Sequence, residues 1–162
     1  MTHVSASLRA EDVASEVLIG RFQAKLRVLP GSDCVWWTGA ISRNAGHGRF
    51  WLGTGRGVVA HRFAFALAEG LDALSGVEVL AHACDNPLCQ RIGAGHVVAS
   101  TRAQNQIDWV ARGGVSAGNY IGPASSYDRS LVMRNLLLID PGVAARHLAS
   151  LPHRHGVQLP LW

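Results

Sequence analysis

The sequence predicts an α+β protein of small antiparallel sheets with flanking helices. Three observations predict it. Between Cys34 and His61, short β-prone runs alternate with glycine turns, while the stretches before and after space their apolar residues at helical intervals. The stretch from Ala81 to Asn105, AHACDNPLCQRIGAGHVVASTRAQN, gathers two of the chain's three cysteines, two histidines, an Asp-Asn pair and a further asparagine. Packing does not explain that density. Within it Cys84 and Cys89 have the C-x4-C spacing of a zinc knuckle, and His96 follows where a returning chain supplies a nitrogen ligand.

Taken in order, residues 1–9 read as disordered, and Glu11 to Val28 as one helix with Val13, Val17, Leu18, Phe22 and Leu26 at helical spacing and Gly20 as its weak point. Pro30-Gly31-Ser32 ends it. Cys34 to Gly39, His47 to Leu52 and Gly57 to His61 are expected as antiparallel strands, the last two joined through Gly53-Thr54-Gly55. His61 to Gly70 is a helix stopped by its glycine. Val77 to Ala81 is the strand that delivers His82. After a loop and a short strand, Ser100 or Thr101 caps a helix carrying Ala103, Ile107, Val110 and Ala111. Past it GGVSAGNYIGPASS reads as a linker. Leu131 to Leu138 and Val143 to Leu151 read as two helices about Asp140-Pro141-Gly142: a helix-turn-helix, a cap on the core or a dimer interface. The apolar end Leu159 to Trp162 is expected to dock on the core or on a partner subunit. Three segments result: 1–30, helical; 31–113, the functional core with its sheet; 114–162, linker and helical extension.

Two cysteines and His96 leave a tetrahedral zinc one ligand short. Cys34, the remaining cysteine, completes a closed set of Cys34, Cys84, Cys89 and His96, and a site closed by four protein ligands is structural. His82 stands two residues before Cys84. On an extended strand both would face one side, and since the loop commits Cys84 to the metal, His82 is left to point at something else. Asn105 falls on the helix that packs across that strand. Asp85 and Asn86 are expected to hydrogen-bond within the loop.

A length of 162 residues fits one domain with appendages, and 48% hydrophobic content supports a core. No apolar run approaches the length of a membrane span, and the N-terminus lacks the order of a secretory signal. A soluble, intracellular, cytoplasmic protein is expected, in keeping with an odd number of cysteines. The formal charge is +4, and Lys25 is the one lysine among fifteen basic residues. That arginine bias suits a nucleic-acid partner and equally a GC-rich genome.

The run H-x-C-D-N-P-x-C from His82 to Cys89, then His96, then Asn105 nine residues on, resembles the HNH nucleases of the ββα-metal (His-Me finger) superfamily, most closely the His-Cys box homing endonucleases. The resemblance covers Cys34 to Gly113. It implies a zinc-stabilised ββα-metal core and a Mg²⁺-dependent, site-specific endonuclease of the homing or restriction type acting on double-stranded DNA. His82 would be the general base, Asn105 would hold the catalytic Mg²⁺, and a zinc on three cysteines and a histidine would buttress the loop. Arg49, ahead of Val58-Val59-Ala60-His61-Arg62, matches the arginine that contacts the scissile phosphate. The family's sheet enters the major groove, which makes Arg43, Asn44, His47, Arg49 and Arg56 the DNA-binding positions; the plain alternative is a solvated face. Cutting both strands of a palindrome implies a homodimer. This chain departs from the pattern twice: C-x6-H replaces a shorter spacing, and no cysteine after Cys89 can supply a second zinc cluster.

Other readings compete. A zinc-knuckle nucleic-acid-binding module would use the metal ligands and arginines but not His82 and Asn105. A zinc hydrolase would need an open coordination position. His61 reads as a core or capping histidine before a catalytic one, and His153 and His155 are a metal pair only on slender grounds, with no cysteine near them.

Overall fold

A computed structural model describes residues 7–111 and 125–151. The readings of residues 1–6, of most of the linker, of His153 and His155 and of the tail from Leu159 lie outside the described residues.

The protein is α+β, with seven short strands among the described residues arranged as two two-stranded sheets and one three-stranded sheet, all antiparallel. The chain opens with α1 (Ala10–Ala14) and α2 (Glu16–Gln23) rather than one long helix. Apolar periodicity runs straight through the break. The break falls at Ser15, whose extended backbone and hydroxyl, accepting from Leu18 N at 3.3 Å, start a fresh helix; Gly20 sits inside α2 without interrupting it. The expected helix also ends early. Leu26–Val28 is strand β1, paired with β2 (Val35–Trp37) in the register Leu26 to Trp37.

A bend at Thr38–Gly39 sends the chain into a second sheet, β3 (Ala40–Ile41), β4 (Gly48–Gly53) and β5 (Arg56–Val59), so the strand expected from Cys34 to Gly39 ends at Trp37 and pairs with β1 instead. Gly53 to Gly55 makes the β4–β5 turn, with Gly55 at φ 72. α3 (Ala60–Glu69) follows and stops at Gly70, whose φ of 92 is left-handed, and a short α4 (Leu71–Ser75), not foreseen, leads to β6 (Val79–His82). β6 pairs with β7 (Val97–Ser100), and α5 (Arg102–Ala111) starts under the Thr101 hydroxyl, which accepts from Gln104 N at 3.1 Å.

The core forms around an aromatic group. Phe22, Trp37, Phe50 and Phe63 are all at most 2% exposed, with ring centroids 4.8 to 5.9 Å apart. Gly48 lies against the indole so closely that a Cβ there would stand 2.6 Å from Trp37 Cδ1. Leu18 from α2 and Met133, Leu137 and Ala144 from α6 (Ser126–Ile139) and α7 (Pro141–Ser150) complete the cluster, so the three segments read from composition share one core. A second cluster, Phe65, Ala66, Leu74, Leu80 and Val97, seats the β6–β7 hairpin on α3 and α4.

Polar contacts fix the outer helices. Arg56 on β5 grips the buried Asp12 of α1 at 3.0 and 2.7 Å. Arg134 of α6 donates through Nε to the carbonyls of Thr38 and Gly39. Gly46, at φ 71, passes the start of α6 where a Cβ would lie 2.5 Å from Ser126 O. Among the described residues, no helix is long and apolar enough to cross a membrane.

Candidate functional site

β6 ends at His82, and the chain turns at once: Asp85 N bonds His82 O at 3.0 Å, and Asp85 takes a left-handed φ of 52. Asn86 Oδ1 then accepts from Leu88 N at 3.0 Å and its carbonyl from Cys89 N at 3.0 Å, the side-chain-to-backbone turn expected of this Asx pair. The loop is stitched to β2. Trp37 N donates to Leu88 O at 2.9 Å and Gln90 N to Val35 O at 2.7 Å, which sets Cys89 opposite Trp36 and brings Cys34 alongside. A second turn through Gly93 and Gly95 returns His96, whose carbonyl accepts from Ala83 N at 2.7 Å.

The outcome is a cluster of Cys34, Cys84, Cys89 and His96 with all ligand atoms within 4.8 Å of one another. His96 Nδ1 is 3.8 Å from Cys34 Sγ and 3.6 Å from Cys89 Sγ. A tetrahedral ion with metal–sulfur bonds of ~2.3 Å and metal–nitrogen bonds of ~2.0 Å requires S···N edges of about 3.6 Å. The side chains therefore stand where a metal such as zinc would hold them. Hydrogen bonds from the Cys84 and Cys89 thiols pull the Cys34 thiol down, and sharing with Cys34 pushes both of those up.

Beside this cluster opens a cleft of about 440 Å³ whose lining includes His82 from β6, Asn105 and Trp109 from α5, Asp85 from the loop, and Asn44 and His47 from the β3–β4 turn. The sequence-predicted pair, His82 and Asn105, thus shares one cavity. So does Arg129 of α6, which was not picked out as a site residue. Arg49 is placed differently. It lies on β4 with Nη2 3.5 Å from Gly57 O and is not among the lining residues. Of the other positions read as DNA contacts, Arg43 and Asn44 are exposed in the turn before β4. Arg56 is paired with Asp12 of α1. His47 turns inward.

His47, His61 and His82 form a second cluster, again with ligand atoms within 4.8 Å of one another. His82 Nε2 is 3.1 Å from His61 Nδ1, and ring centroids are 4.6 Å apart for His61–His82, 5.1 Å for His47–His82 and 5.2 Å for His47–His61. The ring of His82 is thus held by a side chain, His61, and His82 Nδ1 is buried with no hydrogen-bond partner among the described residues. His47 Nδ1 faces Pro87 O at 3.4 Å. Burial pushes all three imidazoles down, His82 to about 3 and His61 well below its usual value, with the neighbouring rings adding to the effect on those two. They are neutral at physiological pH.

The fold and site define a small α+β protein organised about a three-cysteine, one-histidine centre with a histidine-lined cleft beside it. Over 106 residues, 65% of this chain and 77% of the relative, the sequence is 31% identical to Protein 7.7 of Escherichia phage T7, and the chain belongs to the family of that protein. No family model and no solved structure matches it.

Proposed function

We propose that the protein is a Mg²⁺-dependent endonuclease of the ββα-metal type, with a structural zinc in the three-cysteine, one-histidine centre. The observation that carries this reading is the convergence of His82 and Asn105 on one cleft, from the strand and the helix that flank the pinned loop. β6, β7 and α5 would be the ββα unit. The zinc, closed by four protein ligands, has no position for water and serves to hold the loop.

Hydrolysis of a phosphodiester needs a base for the attacking water and positive charge at the phosphate. His82 is neutral, lines the cleft and has its ring fixed by His61 through Nε2, so as an imidazole it would take the water's proton. Asn105 offers an amide oxygen of the kind a hard cation prefers, with Asp85 and Asn44 also lining the cleft. Mg²⁺ held there would neutralise charge on the phosphate and the leaving oxygen. Arg129 stands in the lining where a phosphate oxygen would approach, while Arg49, from the adjoining sheet, would contact the backbone further along the DNA. A cut through both strands takes two such sites and hence two copies of the chain.

The test is incubation with supercoiled plasmid in Mg²⁺ and in EDTA. Nicked or linear product in Mg²⁺ alone is expected. Retardation without cleavage would instead make the protein a zinc-centred nucleic-acid-binding module.

A further inference from the structure

We infer that His47, His61 and His82 form a second metal site, which takes a borderline divalent transition ion such as Zn²⁺, Co²⁺ or Ni²⁺ and, when filled, disables the cleft. The disabling half of this inference rests on the nuclease reading above; the binding half does not.

The geometry carries it. An ion with metal–nitrogen bonds of ~2.0–2.1 Å sets adjacent ligand nitrogens about 2.9 Å apart at right angles and about 3.3 Å apart at the tetrahedral angle. His61 Nδ1 and His82 Nε2, 3.1 Å apart, fall between these limits. The same bonds place imidazole centroids about 4.5 to 5.2 Å from one another, and the three observed separations are 4.6, 5.1 and 5.2 Å. For the third ligand, Nδ1–H of His47 directed at Pro87 O leaves Nε2 with the lone pair, the outer-shell arrangement by which a carbonyl fixes the tautomer of a metal-bound histidine. His47 and His82 line the cleft, so the fourth position of an ion held here would open toward it.

Nitrogen donors select the ion. Three imidazoles suit Zn²⁺, Co²⁺ or Ni²⁺, whereas Mg²⁺ prefers oxygen ligands. They bring no negative charge, unlike the neighbouring cysteine centre, so the ion is held more weakly and exchanges. While it is bound, His82 Nε2 is a ligand, its hydrogen bond to His61 is gone, and the ring is locked in the ion's geometry rather than in the one that meets water. A Mg²⁺-dependent activity would then be switched off by micromolar transition metal.

The full chain, with its cysteine centre filled by zinc, is titrated with Co²⁺, counting bound ions by equilibrium dialysis and recording the visible spectrum. One added Co²⁺ per chain is expected, with visible d–d bands and no thiolate-to-cobalt charge-transfer band. His47→Ala should weaken that binding at least tenfold and leave the first zinc in place; His61→Gln is the second variant should the first misfold. No added ion, or added ion indifferent to both substitutions, overturns the site. In the activity arm, Zn²⁺ should inhibit plasmid cleavage, and His47→Ala should shift the inhibiting concentration upward by a similar factor. Inhibition unchanged by the variant would sink the disabling role, while absence of any cleavage would strike the nuclease reading and leave the binding result standing.

Discussion

His61 Nδ1 lies 3.1 Å from His82 Nε2, so a residue in the first turn of α3 holds the ring of the residue that ends β6. The contact makes His82 part of the packing as well as of the cleft, and the cost of its removal divides accordingly. His82→Ala should lower cleavage by about 10²–10⁴, the range for a lost general base. It should also cost about 1–3 kcal/mol of stability, because the buried His61 is left without its partner. Chemical denaturation beside plasmid assays separates the two effects. A variant that lost zinc in proportion to activity would show that His82 belongs to the other centre.

The cysteine centre has the opposite profile. One zinc per chain should survive exhaustive dialysis, since Cys34, Cys84, Cys89 and His96 complete one closed site and a three-histidine ion would leave. Cys89→Ser should lose that zinc and several kcal/mol of stability with it, because binding at such a site is folding free energy. Elemental analysis and a melting curve suffice. A zinc-free Cys89→Ser protein that stayed folded and active would overturn the structural role.

Two arginines are expected to differ. Arg129→Ala, which removes a cation from the cleft lining, should reduce turnover at saturating DNA by tenfold or more. Arg49→Ala should act mainly on binding, lowering the salt dependence of affinity by about one unit of slope. Turnover and affinity measured over a salt series distinguish them, and the reverse assignment would return the phosphate contact to β4.

The cluster of Cys34, Cys84, Cys89 and His96 was legible because thiolate and imidazole ligands must be specific residue types at short, recognisable separations; the C-x4-C pair, His96 and the odd Cys34 admit few arrangements. His82 and Asn105 were legible for a related reason, since each is placed by a local element beside the pinned loop. His47 and His61 were not. No period relates them to His82, and they meet because the start of β4 and the start of α3 pack against the end of β6. Arg129 depends likewise on distant contacts, with Arg134 docking α6 on the Thr38 and Gly39 carbonyls. The break at Ser15 is hidden in the sequence because apolar spacing continues across α1 and α2, and β1 because a three-residue strand draws its stability from pairing with β2 rather than from its own sequence.

Gly48→Ala should destabilise the fold by about 1–3 kcal/mol, as overpacking does in a filled core. The new methyl would meet an indole that is itself fully buried and has no room to withdraw. Chemical denaturation reads the change directly, and a neutral result would mean that the β4–Trp37 contact is looser than described.

Asp12 and Arg56 give a pH dependence of known sign. The hydrogen bond from Arg56, with the Arg9 amide, holds the Asp12 carboxyl below its ordinary value of 3.8. A group whose folded value is depressed contributes stability that is complete above the unfolded value and lost as pH falls through the folded one. The wild type should therefore lose stability below about pH 4 through this pair, and Asp12→Asn should flatten that limb while lowering stability at neutral pH. Identical acid limbs would assign the acid sensitivity elsewhere.

The stitching of β2 to the loop through Trp37, Leu88, Val35 and Gln90 also has a bearing on the order in which the molecule assembles. Cys84, Cys89 and His96 are near neighbours along the chain and can gather an ion while most of the polypeptide is still uncoiled. Cys34 arrives only after a long loop containing β3, β4, β5 and α3 has closed, which is the slow and entropically costly event in such a topology. An ion captured early would wait in a three-legged seat, and the last thiolate would reach it when Val35 and Gln90 pair. The fourth bond would then mark the end of folding rather than its beginning.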